Sequence, residues 1–220
     1  MDQAFIFDFD GTMADSIPLF FKAYNLTFEE FGFEMSWDEW SNTLVGLKTG
    51  EIFELMFKKY NVTANIPEAI KTRQKHYFDL VEKGELKEIL GFTKFFQFLQ
   101  MTFPTNPIFI ITNGSPKNVE LSLKTLGYWE KIPYYSSQSI VFGVEHPNKK
   151  ELIHLVAKKR NITLKKSFMF EDSIYGSKIA KEAGLKVITI NSMNLPSFQF
   201  QSDLIVSDFN AKELYDYISR

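Results

Sequence analysis

The chain has 220 residues, enough for one sizeable core and a smaller insert. Its 45% hydrophobic and 24% charged content is that of an ordinary globular protein, and a formal net charge of −2 gives no whole-molecule attraction to nucleic acid or to an anionic membrane. The absence of cysteine excludes disulfides and thiolate metal sites, no apolar run nears the ~20 residues of a membrane span, and no basic stretch precedes an apolar one at the N-terminus, so a cytoplasmic location is expected.

Ala4 to Phe9 reads as a short buried strand, apolar almost throughout and broken at Gly11. It carries Asp8 and Asp10, which leave one side of the chain if the extended geometry persists that far. A bare Asp-Gly is also an ordinary turn, so the rest of the chain has to decide between turn and site. After Ser16, a candidate helix cap, Leu19, Phe20, Ala23, Leu26, Thr27 and Phe31 recur at helical spacing up to Gly32. Trp37 to Leu44, Glu51 to Tyr60 and Pro67 to Lys83 predict three more helices, with Leu47-Lys48-Thr49-Gly50 as a loop between two of them. Some seventy helical residues without a strand exceed a simple crossover, so residues 17–84 read as an all-helical insert.

From Glu85 strands and helices alternate. Helices are expected over Phe92–Met101, Pro116–Leu126, Lys149–Arg160, Ser173–Ala183 and from Ala211. Strands are expected over Pro107–Ile111, somewhere within Ile132–Phe142, and over Ser167–Phe170, Lys186–Ile190 and Asp203–Val206. Such alternation builds a parallel sheet with helices on both faces, an α/β class of Rossmann-like type. The 23 phenylalanines read as core composition. His76, His146 and His154 are scattered and read as surface or packing residues.

Three strand ends carry polar groups suited to phosphate chemistry. Asp8-Phe9-Asp10-Gly11-Thr12 ends the first, Ile111-Thr112-Asn113-Gly114-Ser115 the second, and Phe170-Glu171-Asp172-Ser173 a third. A hydroxyl at a strand end can donate to a phosphate oxygen, helped by the free N–H groups of the following helix. Taken alone, Thr-Asn-Gly-Ser is a polar turn, and Glu171-Asp172 is a favourable acidic helix start. Adjacent buried carboxylates are costly without a counter-cation, and hard oxygen ligands with no histidine cluster select Mg²⁺.

Asp8-Phe9-Asp10-Gly11-Thr12-Met13-Ala14-Asp15-Ser16 resembles the first motif of the haloacid dehalogenase-like superfamily, in the branch holding phosphoglycolate phosphatase-like enzymes and β-phosphoglucomutase. Thr112 and its strand resemble the second motif, and Glu171-Asp172-Ser173 with Gly176, Ala180, Ala183 and Gly184 resembles the fourth. The third, a lysine, departs from the common Lys-Pro-x-Pro form: in that register His146 takes the lysine's place, whereas a Lys-x-Glu-Leu-Ile register selects Lys149. A permanent charge suits a phosphate dianion better than a mostly neutral imidazole, so Lys149 is favoured, with Lys150 and His146 as the alternatives. The resemblance implies a core of residues 1–16 and 85–220, with 17–84 as a cap. It further implies Mg²⁺-dependent hydrolysis of a small phosphorylated metabolite, sugar phosphate or phosphoglycolate-like, through an aspartyl-phosphate.

In that scheme Asp8 is the nucleophile and Asp10 the acid and base. Asp8, Asp10, Glu171 and Asp172 serve the metal, Thr112 and Lys149 hold phosphate, Asn113 orients, and Lys48 contacts the substrate from the cap loop. Asp10 with Glu171 and Asp172 speaks against dehalogenation, and a binding-only module would not need Asp10. A sugar phosphomutase remains open, although such mutases resemble one another in an arginine shortly after the loop glycine and a histidine shortly after the first motif. Here Lys48 and Thr49 follow Gly46, and no histidine follows Ser16 in Ile17–Lys22.

Overall fold

The computed structural model describes residues 3–220; the first two residues of the expected core segment lie outside it. The chain divides into two compact units: an α/β unit, up to Asp15 and from Lys87 to Arg220, and a helical unit, Ser16–Leu86.

In the α/β unit six parallel strands form one sheet in the order β3-β2-β1-β6-β7-β8. They are β1 (Phe5–Phe7), β2 (Ile108–Thr112), β3 (Tyr134–Ser136), β6 (Phe168–Glu171), β7 (Lys186–Ile190) and β8 (Leu204–Val206). The order runs outward from β1 to β3 and then restarts at β6 on the other side of β1. The boundary between β1 and β6 is therefore the switch point, where open α/β sheets leave a crevice beyond the strand carboxyl ends.

Register explains much of the phenylalanine content. Phe5 pairs with Phe168 and Phe7 with Phe170, and each pair stacks across the ladder, with ring centroids 5.6 and 4.3 Å apart. Phe92 and Phe95 of α5 (Phe92–Thr102) pack edge-on against Phe7 on that face. Ile6, Phe109, Met169 and Val187 point to the other face, where Leu152, Ile153 and Val156 of α7 (Lys149–Arg160) and Ala180 of α8 (Ile174–Glu182) complete a second core. Facing both ways, the strands are apolar at nearly every position.

The helical unit consists of α1 (Ile17–Glu29), α2 (Trp37–Glu39), α3 (Thr49–Lys59) and α4 (Ile66–Glu82), around an aromatic core that includes Tyr24, Phe28, Trp40, Phe53 and Phe57.

Four local expectations are corrected. The predicted helix Trp37–Leu44 is only three α-helical residues followed by a π-helical turn, Trp40–Leu44, closed by Val45 N–H donating to the Trp40 carbonyl at 2.9 Å. The predicted loop ends early, because Thr49 and Gly50 already belong to α3, and Glu51 accepts from the Lys48 N–H at 3.0 Å. Ser16 does not cap α1 through its side chain, since its backbone is already helical at φ −89° and ψ −17°. Ile132–Phe142 yields β3 plus one arm of a hairpin, β4 (Ile140–Val141) with β5 (Val144–Glu145), because the chain leaves the sheet after Ser136.

Candidate active site

The first strand ends at Phe7, and the chain then turns. The Asp8 N–H still donates to the Phe170 carbonyl at 2.9 Å, which ties it to β6, and Gly11 closes the turn with φ +76°. A Cβ at Gly11 would overlap the Asp172 carboxylate, so only glycine lets the two strand ends approach. Thr12 Oγ1 donates to Asp172 Oδ1 at 3.2 Å.

Glu171 is the last residue of β6 and fully buried. Its Oε2 accepts from the Ser173 N–H at 3.0 Å and from the Ser173 hydroxyl at 2.9 Å, and the same hydroxyl caps α8 by accepting from the Gly176 N–H. A Cβ at Gly176 would strike the Glu171 carboxylate, which accounts for the glycine there.

Lys149 is the first residue of α7, where the helix dipole disfavours a cation. Its place is set by a capping box between Asn148 and Glu151. The side chain is 4% exposed, donates to Glu171 Oε1, and lies 3.1 Å from Asp8 Oδ1. Burial alone would lower its pKa, but Asp8 and Glu171 outweigh burial and raise it. Lys150 instead pairs with Glu182 at the surface, and His146 is exposed with φ +45°. The geometry thus brings Lys149, and neither alternative, to the acids.

Asp8, Glu171 and Asp172 each offer an oxygen within 4.8 Å of the others. Burial is the first cause raising the Asp8 pKa from 3.8 to about 7; Lys149 opposes it, and Glu171 and Asp10 add to it. Burial, then Glu171 and Asp8, push Asp172 well above the usual carboxylate range. Three carboxylates facing one ammonium leave an excess negative charge, which the cluster sheds by taking up protons or offsets by binding a cation. The donors are all hard oxygens, and Asp8 Oδ1 is buried without a well-directed hydrogen bond, so the set fits a divalent cation such as Mg²⁺.

The remaining expected residues divide. Thr112 ends β2, buried, with its hydroxyl accepting from the Gly114 N–H at 3.0 Å. Asp10 lies against the same turn: a Cβ on Gly114 would sit 2.9 Å from Asp10 Oδ2. The Asn113 side chain is turned aside, its Oδ1 accepting from the Ser137 hydroxyl at 2.9 Å. Lys48 belongs to the helical unit, exposed at the start of α3. The residues that brace this turn, Ser136, Ser137 and Gln138, carry no motif; the polar run that breaks an apolar strand after Tyr135 was the available signal.

Against known proteins, the profile described as haloacid dehalogenase-like hydrolase matches residues 5–190. The chain is 26% identical over 187 residues to the 6-phosphogluconate phosphatase of Escherichia coli, covering 84% of this chain and 80% of that protein. It is 26% identical over 202 residues to the phosphorylated carbohydrates phosphatase of Thermotoga maritima, covering 87% of each. Among solved structures, a hydrolase of the same superfamily from Deinococcus radiodurans, with bound phosphate and sodium, superposes with a TM-score of 0.77 at 17% identity, over 99% of this chain and 95% of that one.

Proposed function

The chain belongs to the haloacid dehalogenase-like hydrolases and is a phosphatase of that family, and from this premise we propose that it hydrolyses small phosphorylated carbohydrates through a phosphorylated Asp8. The observation that carries the proposal is the meeting of Asp8, Lys149, Glu171 and Asp172 at the carboxyl ends of adjacent strands. The names of the two relatives, a 6-phosphogluconate phosphatase and a phosphorylated carbohydrates phosphatase, support the substrate class.

Asp8 attacks phosphorus with a carboxylate oxygen, and the substrate's ester oxygen leaves with the proton that Asp10 donates. Asp10, now a carboxylate, takes a proton from water, which attacks the phosphoryl group and releases phosphate and free Asp8. Lys149 and Thr112 hold the phosphate oxygens, Lys149 from its buried position beside the nucleophile and Thr112 through a hydroxyl hydrogen that its bond from Gly114 leaves available. Asp8, Glu171, Asp172 and the main-chain carbonyl of Asp10 would hold Mg²⁺. When bound, that ion would supply the positive charge that screens nucleophile from phosphate and neutralises the charge developing there. Residues 17–84 act as the cap, and Lys48 contacts the polar tail of the substrate.

Phosphate release over a panel of sugar phosphates, 6-phosphogluconate and phosphoglycolate, with Mg²⁺ or with a chelator, tests this. Metal-dependent release from the carbohydrates is expected. Conversion of a sugar 1-phosphate to its 6-phosphate without free phosphate would replace the hydrolase by a mutase.

A further inference from the structure

Three successive carbonyls of the turn after β2 are all taken from one side. The Thr112 carbonyl accepts from the Ser137 N–H at 2.9 Å. The Asn113 carbonyl accepts from Gln138 Nε2 at 2.6 Å. The Gly114 carbonyl accepts from the Ser136 hydroxyl at 2.6 Å. Ser136 is fully buried, is the register partner of Thr112, and also accepts from the Gln138 N–H at 3.0 Å. Its one hydroxyl hydrogen is therefore committed to the turn, which leaves it none to donate to a substrate.

The consequence follows from peptide geometry. The described chain has no cis peptide bonds, and in a trans peptide the N–H points opposite to the C=O. Anchoring the carbonyls of residues 112–114 toward β3 turns the N–H groups of Asn113, Gly114 and Ser115 away from it. Gly114 spends its own on Thr112 Oγ1, which orients that hydroxyl to donate onward. Successive N–H groups turned to one side of a strand end form an anion-binding concavity. The turn also lies against Asp10, whose Oδ2 would sit 2.9 Å from a Cβ on Gly114.

We propose that Ser136, assisted by Gln138, is a positioning residue that holds the Thr112–Ser115 turn in its phosphate-binding form; this rests on the phosphatase function proposed above. Ser136 touches no reacting atom and acts through the Gly114 carbonyl. Its loss weakens the grip on phosphate while leaving the metal site, on β1 and β6, as it was.

The test compares the full chain with Ser136→Ala and Gln138→Ala, using p-nitrophenyl phosphate as substrate and inorganic phosphate as inhibitor. For Ser136→Ala the inhibition constant of phosphate and the KM should both rise about five- to tenfold, the equivalent of one lost buried hydrogen bond. The Mg²⁺ concentration for half-maximal activity should shift by less than about twofold, which a general loosening of the fold would not allow. Gln138 is exposed, so its variant folds, and about a two- to threefold rise in the same two constants is expected. A folded Ser136→Ala with unchanged phosphate inhibition overturns the proposal. If Ser136→Ala does not fold, unchanged phosphate inhibition in Gln138→Ala overturns it. A wild-type chain inert toward every phosphomonoester sinks the functional proposal and this one together, whereas an active wild type with unaffected variants sinks this one alone.

Discussion

In the helical unit the buried cation Arg73 lies 4.6 Å from the ring centroids of both Phe20 and Tyr24, whereas in the α/β unit the buried cation Lys149 lies among carboxylates. Aromatic rings stabilise a guanidinium through a fixed quadrupole that neither takes up protons nor ligates metal. Carboxylates stabilise an ammonium with charge that can titrate, coordinate or attack phosphorus. The first arrangement packs a bundle, and the second stores reactive groups at the cost of a cluster that is unstable when fully ionised. The buried polar residues follow the same division. Among the described residues those of the helical unit are Ser16, Thr27 and Arg73, while the other unit has ten, of which Asp8, Thr12, Thr112, Ser136, Lys149 and Glu171 gather around the strand ends and Ser122, Ser167, Ser177 and Thr189 lie elsewhere.

The sharpest way to break this contrast is Asp8→Asn. Phosphate release should fall by about 10⁴-fold or more, because an amide is not a nucleophile at phosphorus. Melting of the metal-free protein at alkaline pH should not drop, since a carboxylate disfavoured by burial has been removed. A folded variant retaining a tenth of wild-type activity would show that Asp8 is not the nucleophile.

Lys149→Met comes next. It leaves Glu171 and Asp8 without their ammonium, so turnover should fall by about 10³-fold and stability near neutral pH by about 3 kcal/mol, read from denaturant unfolding. Lys150→Ala and His146→Ala, assayed beside it, should leave turnover near wild type. Greater damage from His146→Ala would assign the phosphate contact to the other register.

Phe53→Ala probes the other unit. Removing a fully buried ring from the aromatic core should cost about 3–5 kcal/mol of stability by chemical unfolding. The proposed Mg²⁺ requirement should not change, because none of the carboxylates that would hold the ion is lost.

The metal itself should act through protonation. With its pKa raised from 3.8 to about 7, Asp8 contributes stability that is full below its unfolded pKa and is lost as pH rises through the folded one. The proposed Mg²⁺ would bind the ionised form, so its increment in Tm should grow between about pH 5 and pH 8. An increment independent of pH would remove Asp8 from the ligand set. The smallest effect belongs to Lys48→Ala, an exposed site, for which a rise in KM of about two- to threefold on anionic carbohydrates is expected with kcat unchanged.

What the sequence determined by itself is what depends on neighbours in the chain. Apolar runs of strand length separated by helical periodicity announced a parallel α/β sheet, and the order of acids and hydroxyls at three strand ends announced the candidate site residues. The helices expected over Pro116–Leu126 and Ser173–Ala183 formed close to those bounds because a proline at the start of the first and a glycine after the end of each act through local backbone preference. Local pattern failed where the backbone answers to distant contacts. The π-helical turn at Trp40–Leu44 follows a helix-like sequence, yet its geometry is set by packing Trp40 and Leu44 into the aromatic core. One strand was expected somewhere within Ile132–Phe142, and the stretch instead holds β3 and β4, parted where Ser136, Ser137 and Gln138 bond to residues more than twenty positions earlier. Tertiary structure alone decided between Lys149, Lys150 and His146 as the cation that meets the acids. These three lie within five positions, and only the phase of α7 against β1 and β6 carries one inward. It also decided the protonation of Asp8, because a carboxyl's pKa depends on the water excluded and the charges assembled around it, and Asp8, Lys149 and Glu171 become neighbours only when the sheet has closed.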